Sequence, residues 1–480
     1  MLHHNKNNAR NAFDNVIQDI TNYVFDFHDY STLAINTAHY DLLDSLACGL
    51  MALQFQACTK LLGPVVPNAF LKNGARVFGT PFELDPVQAA FNIGTLIRWL
   101  DFNDTFLAAE WGHPSDNLGG ILAITDYLHR THQKKFTIKD ILCAMIKAHE
   151  IQGVLALDNS FNQVGLDHVL LVKVATTAVV THLLGGSKDQ INNAISNAWL
   201  DGQSLRAYRH APNTGSRKSW AAGDATSRGV RLALIAMQNE MGYPNALTTK
   251  TWGFYDVSFK GQSFSLTRPY ANYVMENILF KISYPAEFHA QTAVECALQL
   301  HPLVKNKLEQ IEKIDVQTQA PAMRIISKKG VLHNPADRDH CLEYMIAVPL
   351  IYGALTAAHY EDTIAKNPMI DHLRNRMQVV ENKQFSLDYL DPEKRAIGNA
   401  IQITFKDGTK TDLISIDYPI GHKRRRATGI PLLIDKFKKT IVAHYTEKQA
   451  AKIIDLFLDP EKLMHMTIDK WMKLLCHQHS

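Results

Sequence analysis

Cysteine is scarce in this chain. Six are spread over 480 residues, at positions 48, 58, 143, 296, 341 and 476, and none forms a CxxC pair. That spacing excludes a disulfide scaffold and offers no clustered thiolates for an iron–sulfur centre. Cys143 and Cys296 sit in apolar, helix-like text, where a free thiol behaves as a small hydrophobe. An excess of one charge is also missing: 50 basic against 47 acidic side chains leave +3, too balanced for a protein whose affinity comes from neutralising many phosphates. Nucleic acid is not the expected partner, and the basic run Lys423 to Arg426 reads as a solvated connection. Long hydrophobic runs are lacking too. The richest, His168 to Leu184, is interrupted by Lys173 and His182 and falls short of a bilayer span, so no membrane association is expected. Met1 to Asp19 is polar, carries Asp14 and Asp19, and has no apolar stretch of a signal peptide, which makes a cytoplasmic address the expectation. No low-complexity tract, fixed-period repeat, HExxH or GxxxxGK(S/T) occurs. Of the 22 histidines, His3, His4, His477 and His479 are terminal, and no metal site is expected.

What is present divides in two. From Asp14 to about Asn277 apolar residues recur at three and four positions, through Ala38 to Leu62, Pro86 to Leu100, Leu118 to Leu128, Ile138 to Ile151, His168 to Leu184, Lys188 to Trp199 and Ala225 to Met241. These read as packed helices, with Ser187 and Gln190 forming a capping-box pattern. After Leu279, strands are expected at Lys313 to Ala320, Met323 to Ser327, Gln378 to Phe385 and Asn399 to Phe405, with a helix over Asp337 to Leu350. Asp407-Gly408 is a hairpin signal. Helical text returns over Leu432 to His444 and Glu447 to Leu456. The expected fold is mainly α: a helical domain over residues 1–277, an α+β domain over 278–422, and C-terminal helices over 423–480 that rejoin the first. A cleft between two such domains is a preferred place for a small-molecule site.

Three stretches carry chemistry. In Arg98 to Asn117 polar and aromatic residues are dense; as the end of a helix, Asp101 and Thr105 would share a face with Asp104 close by. His113 precedes Pro114, and Ser115 or Asp116 is placed to cap the helix at Leu118, so His113 would stand beside free backbone N–H groups that suit a carboxylate. A capped interhelical loop with a satisfied histidine is the plainer alternative. Gln203 to Gly223 holds Arg206, Arg209, His210, Arg217 and Lys218 without an acidic residue, which suits polycarboxylate recognition or, more simply, a solvated basic loop. Turn chemistry at Asn213 to Ser216 would precede a helix beginning near Gly223-Asp224. Lys281 to His289 falls at the domain junction, and His168 opens a long apolar helix, a position that is equally consistent with a structural histidine.

The text from Leu100 to Asn117, LDFNDTFLAAEWGHPSDN, strongly resembles the MmgE/PrpD family. The resemblance continues in DGQSLR (201–206), RKSWAAGDA (217–225), WGFYD (252–256) and NPADRDHC (334–341), and so covers nearly the whole chain. It implies a large helical domain built from both chain ends with an inserted α+β lid domain, a homodimer, and no metal or organic cofactor. The active-site Asp, Thr and His pattern of the family's cis-aconitate-decarboxylating branch falls on Asp101, Thr105 and His113, and that branch's other site positions on His168, Lys218 and Lys281, with the flanks of His168 differing between the branches. The implied reaction is loss of water from 2-methylcitrate to give 2-methyl-cis-aconitate in propionate breakdown, with hydration of cis-aconitate as a side activity. His113 would be acid or base, oriented by Asp101, with His168 as the second such group. Thr105, Lys218, Lys281, Arg209 and His210 would bind the tricarboxylate. The alternatives are decarboxylation of cis-aconitate or action on another small polycarboxylate. The seven residues between Thr105 and His113 depart from the decarboxylating branch.

Overall fold

The computed structural model describes residues 12–200 and 202–476; His3, His4, Asp201, His477 and His479 lie outside the described residues. The chain is mainly helical. Helices α1 (Asn15–Asp26), α2 (Thr32–Ala52), α3 (Pro86–Arg98), α4 (Leu118–Arg130), α5 (Ile138–Asp158), α6 (Val169–Leu183), α7 (Lys188–Leu200) and α8 (Arg217–Ala236) come first. Their ends follow local chemistry. Ser31 accepts from the Ala34 N–H, Asp85 accepts from the Val87 and Gln88 N–H groups with Pro86 following, and Thr137 and Asp140 form a capping box. The expected Ser187 and Gln190 box is present, each side chain meeting the other's backbone N–H. Helix α6 is apolar around nearly its whole circumference and correspondingly buried, in the middle of the bundle. Among the described residues no helix is long and apolar enough to cross a membrane.

One hydrophobic core runs from Ile17 to Ile282 and resumes from Ile420 to Leu475; it includes helices α11 (Arg426–His444), α12 (Glu447–Phe457) and α13 (Ile468–Leu475). A second core draws on Ala286 to Phe405. There α9 (Gln291–Val304) and α10 (Leu342–Tyr352) pack with a four-stranded sheet of β1 (Ile311–Thr318), β2 (Met377–Glu381), β3 (Asn399–Phe405) and β4 (Ile414–Ile416). The strand order is β2-β1-β3-β4, parallel between β2 and β1 and antiparallel elsewhere. Ile314, Val316 and Thr318 alternate inward along β1, as one buried face requires. The turn after β3 uses Gly408 at φ +84°, in the left-handed region that glycine occupies without strain.

Several elements differ from the sequence reading. Residues 323–327 are not a strand: Gln319 caps a short helix, Ala320–Ile325, with Pro321 in its first turn. The strand expected to run to Phe385 stops at Glu381, because Asn382 accepts from the Gln384 and Phe385 N–H groups and starts a helix. Helix α8 begins at Arg217, ahead of the expected Gly223-Asp224. The helix over Asp337 to Leu350 is broken, with Asp339 to Cys341 between Pro335–Arg338 and α10. Nor is Lys423 to Arg426 a solvated connection. Arg425 pairs with Glu295 at 2.8 Å, and Arg426 donates to the Glu276 and Ile278 carbonyls at 3.1 Å, so the run joins the two cores.

Two close backbone approaches fix the frame around the junction of the cores. A Cβ on Gly94 would lie 2.9 Å from the Gly223 Cα, so α3 and α8 cross nearly backbone to backbone. Gly421 accepts from the Phe280 N–H at 3.1 Å, and a Cβ there would lie 1.8 Å from the Phe280 carbonyl oxygen. Since the clash is with backbone, Gly421→Ala is expected to cost about 3 kcal/mol, the upper end for overpacking, and to displace the segment that carries Lys281. Urea unfolding would show this as a lowered midpoint at unchanged slope.

Candidate active site

The end of α3 and the loop after it hold the first group. Arg98, the last residue of α3, is buried and donates from Nη1 to Asp101 Oδ1 at 2.6 Å. Asp101 is not on a helix: it sits at φ +49°, a conformation that Asp tolerates better than most residues. This turn aims both its carboxylate and its carbonyl oxygen at Lys281 Nζ, the carbonyl at 2.8 Å. Thr105 and Leu279 exchange backbone hydrogen bonds, 2.8 Å each way, which brings the loop against the junction segment. Lys281 lies two residues beyond Leu279 and is wholly buried.

His113 lies between these groups. Its Nδ1 is 2.6 Å from the Asp104 carbonyl oxygen, an acceptor only, so Nδ1 carries the proton. Nε2 then accepts from Arg98 Nη2 at 2.9 Å. Asp101 does not orient the ring directly, contrary to the expectation from sequence; its Oδ1 is 3.9 Å from Nε2 and acts through Arg98. Ser115 and Asp116 do not cap α4. Ser115 donates to Asp104 at 2.6 Å and Asp116 accepts from Asn103 at 3.0 Å, and the His113 ring faces Arg98 rather than helix-end amides. His168, at the start of α6, meets the His113 ring edge-on with centroids 5.5 Å apart. It is buried, and neither ring nitrogen has a hydrogen-bond partner.

These side chains wall a cavity of about 20 Å³, room for one or two water molecules. Thr105, Arg209 and Arg206 line it as well, with Glu287 and His340 from the second core. Arg209 forms a two-point pair with Asp167, and Arg206 stacks over Trp111 at 5.4 Å. Lys218, in the first turn of α8, stands behind the wall, 2.7 Å from each carboxylate oxygen of Asp339. A wider cleft of about 310 Å³ opens beside it, between the cores, and shares Asp339. His210 is exposed and does not line the cavity. Arg98, Glu287, Asp339 and His340 have no role legible in the sequence; only the fold brings them here.

Burial dominates the electrostatics. It pushes His113 well below the ordinary histidine value, helped by Arg98 and Lys281. His168 is lowered in the same way, by burial, against the Asp167 carboxylate and with Arg209 and Arg98 adding to the effect. For Asp101 burial alone would raise the pKa, but Arg98 and Lys281 hold it well below the usual carboxylate range. Glu287, against the same penalty, is held at about 2 by His289. The site therefore keeps ionised carboxylates beside neutral imidazoles.

Beneath the His113 loop lies a buried triad that sequence reading missed. His149 Nε2 is 3.0 Å from Asp41 Oδ2 and 3.2 Å from Asp104 Oδ2, while its Nδ1 faces the Met145 carbonyl at 2.8 Å. Both nitrogens face acceptors, so the ring is an imidazolium. Among the described residues these three form the one set close enough to share a metal ion. Burial opposes the charge, yet the bonds to Asp104 and Asp41 push His149 up to about 10. A raised folded pKa gives stability that is complete below 6.5, the unfolded value, and is lost as pH rises through about 10. His149→Gln is expected to cost about 3 kcal/mol at pH 7 and to lessen the fall in wild-type stability between pH 7 and 10. Urea unfolding of both proteins across that range measures it.

Comparison with known proteins agrees over almost the whole chain. The MmgE/PrpD N-terminal domain model matches residues 18–267 and the MmgE/PrpD C-terminal domain model residues 284–460. The chain is 60% identical over 474 residues to a Salmonella typhimurium protein named 2-methylcitrate dehydratase, covering 97% of this chain and 98% of the relative. An Escherichia coli protein of the same name is 59% identical over 475 residues, covering 98% of each. A Yarrowia lipolytica protein named 2-methylcitrate dehydratase, mitochondrial, is 56% identical over 475 residues, 97% of this chain and 91% of its own. With both domain models matched and such relatives aligned nearly end to end, the chain belongs to the MmgE/PrpD family.

Proposed function

We propose that this enzyme eliminates water from 2-methylcitrate to give 2-methyl-cis-aconitate. The observation that carries the reading is the composition of the cavity wall: four cations, Arg98, Arg206, Arg209 and Lys281, face the same space as three histidines and only two carboxylates, Asp101 and Glu287. Cations in that excess suit a small polyanion, and imidazoles suit proton exchange near neutral pH. The relatives' names supply the particular tricarboxylate.

The elimination needs a base for the proton on carbon, an acid for the departing hydroxyl, and cations where charge builds on a carboxylate. In this proposal His113 and His168 exchange protons with substrate, Thr105 hydrogen-bonds it, and Lys281, Arg209 and Lys218 hold its carboxylates. A bound trianion opposes the effect of the surrounding cations and favours an imidazolium, which provides the acid. In this reading the chemistry rests on side chains alone. Since about 20 Å³ cannot hold a tricarboxylate, residues 278–422 act as a lid that separates from the helical core to admit substrate. Hydration of cis-aconitate as a side activity, a homodimer and a cytoplasmic address belong to the same reading.

The test is incubation of chelator-treated protein with 2-methylcitrate, and separately with citrate and cis-aconitate, following alkene absorbance and carbon dioxide. Alkene from 2-methylcitrate without carbon dioxide is the expected result; carbon dioxide from cis-aconitate would move the enzyme to the decarboxylating branch. His113→Ala is expected to lower kcat by about 10²- to 10⁴-fold with the fold intact by circular dichroism, and near-normal turnover would remove its role. Lys281→Ala should raise KM by about tenfold or more, as loss of a charge-assisted bond does; an unchanged KM would exclude it from carboxylate binding.

A further inference from the structure

Of the three imidazoles on the cavity wall, His340 is the one whose free nitrogen is already defined. It comes from the break between Pro335–Arg338 and α10, on the second core, and is buried. Its Nδ1 is 2.8 Å from Asp339 Oδ1 and 3.3 Å from Lys218 Nζ. Lys218 is a donor only, and two of its three protons go to the Asp339 oxygens 2.7 Å away, while Asp339 is an acceptor only and lies nearer to Nδ1 than Lys218 does. Nδ1 therefore carries the hydrogen and donates it to Asp339, and the lone pair is on Nε2, for which no partner exists among the described residues. By contrast His113 Nε2 is occupied by the Arg98 guanidinium, and His168 Nδ1 lies 3.3 Å from Asp167 Oδ1 without a hydrogen bond, that carboxylate being committed to Arg209. A carboxylate that holds Nδ1–H and leaves Nε2 as a directed base is the arrangement that general-base histidines use. Asp101 and Lys218 lie near enough for their charges to act on His340, and Glu287 shares its wall.

We propose that His340 is a catalytic residue of the dehydration, the base that takes the proton from carbon, and that Asp339 is its positioning residue. The inference rests on the proposed dehydration of 2-methylcitrate. In the step, the His340 Nε2 lone pair takes the proton beside a carboxylate and the C–H electron pair becomes the new π bond. The C–O bond breaks with its own pair, and the hydroxide leaves as water with a proton from the His113 and His168 pair. One imidazole gains a proton and another loses one, so no oxidant or further reactant is involved. Because His340 and Asp339 ride on the second core, the base joins the site only when the two cores close on substrate.

The experiment compares wild type, His340→Gln and Asp339→Asn for turnover of 2-methylcitrate, and for calorimetric binding of tricarballylate, a tricarboxylate without the hydroxyl that leaves. His340→Gln is expected to lower kcat by about 100-fold or more, the usual contribution of a general base, while tricarballylate binds within about threefold of wild type. Asp339→Asn should also lower kcat, by about tenfold, yet bind tricarballylate no more weakly, because Lys218 is released from its carboxylate. Retained turnover in His340→Gln overturns the proposal, as does a loss of binding that matches the loss of kcat. An Asp339 that merely tethers Lys218 would leave kcat unchanged in Asp339→Asn, and that result overturns its positioning role. If wild type makes no alkene from 2-methylcitrate but binds tricarballylate, it is the proposed reaction that fails, and the two failures are told apart by the wild-type trace alone.

Discussion

A cavity walled by cations can stay folded without its ligand only if each buried charge has a carboxylate at hand. Asp101 meets this requirement for Arg98 and Lys281, Asp167 for Arg209 and Arg206, and Asp339 for Lys218. Leaving one such cation unpaired would cost several kcal/mol, more than one domain can easily spare. The left-handed backbone at Asp101 belongs to this constraint: a strain of about 1 kcal/mol allows a single residue to present two oxygens to Lys281.

The compensation has a second layer that ties the site to distant parts of the chain. Lys436, on α11, donates to Asp44 at 2.8 Å, to the Lys281 carbonyl at 3.0 Å and to the Phe102 carbonyl at 3.2 Å. One ammonium thereby fastens both segments that bear the Asp101 and Lys281 pair. On the other side the His149 imidazolium holds Asp104, whose carbonyl fixes the His113 tautomer. Helices from both ends of the chain thus decide where the loop from residue 99 to 113 lies. Glu287, Asp339 and His340, by contrast, belong to the second core, so the wall is assembled from two bodies with separate hydrophobic interiors.

What could be read in the sequence depends on the range of the forces involved. Helices with one apolar face announce themselves by period, and α3, α4 and α7 lie within a few residues of their expected bounds. The hairpin at Asp407-Gly408 is equally local. The error at residues 323–327 arose because Ile325 and Ile326 look like strand text, whereas the Gln319 cap and Pro321 decide the backbone. The basic run at 423–426 could not reveal its burial, since its acceptors lie some 130 to 150 residues earlier. The same limit hid the triad: His149 in an apolar helix looks like any satisfied core histidine until Asp41 and Asp104 arrive beside it. The motif from Asp101 to His113 marked the place of the chemistry, but the arrangement within it depends on a left-handed turn that helix periodicity does not contain.

The neutral state of the imidazoles gives this architecture a further consequence on the proposed reading. Burial and the nearby cations hold His113, His168 and His340 below their ordinary values. Four cations and two carboxylates face the cavity, with Asp167 behind Arg209 and Arg206, and a tricarboxylate adds negative charge directly beside the imidazoles. Its arrival removes the main electrostatic obstacle to an imidazolium, leaving desolvation as the opposing force. A base that is neutral at rest and an acid that becomes protonated on binding are what an elimination without a Lewis acid requires. The charge of the substrate thus sets the protonation pattern that its own reaction uses, and it does so only in the closed cavity, where screening by water is least.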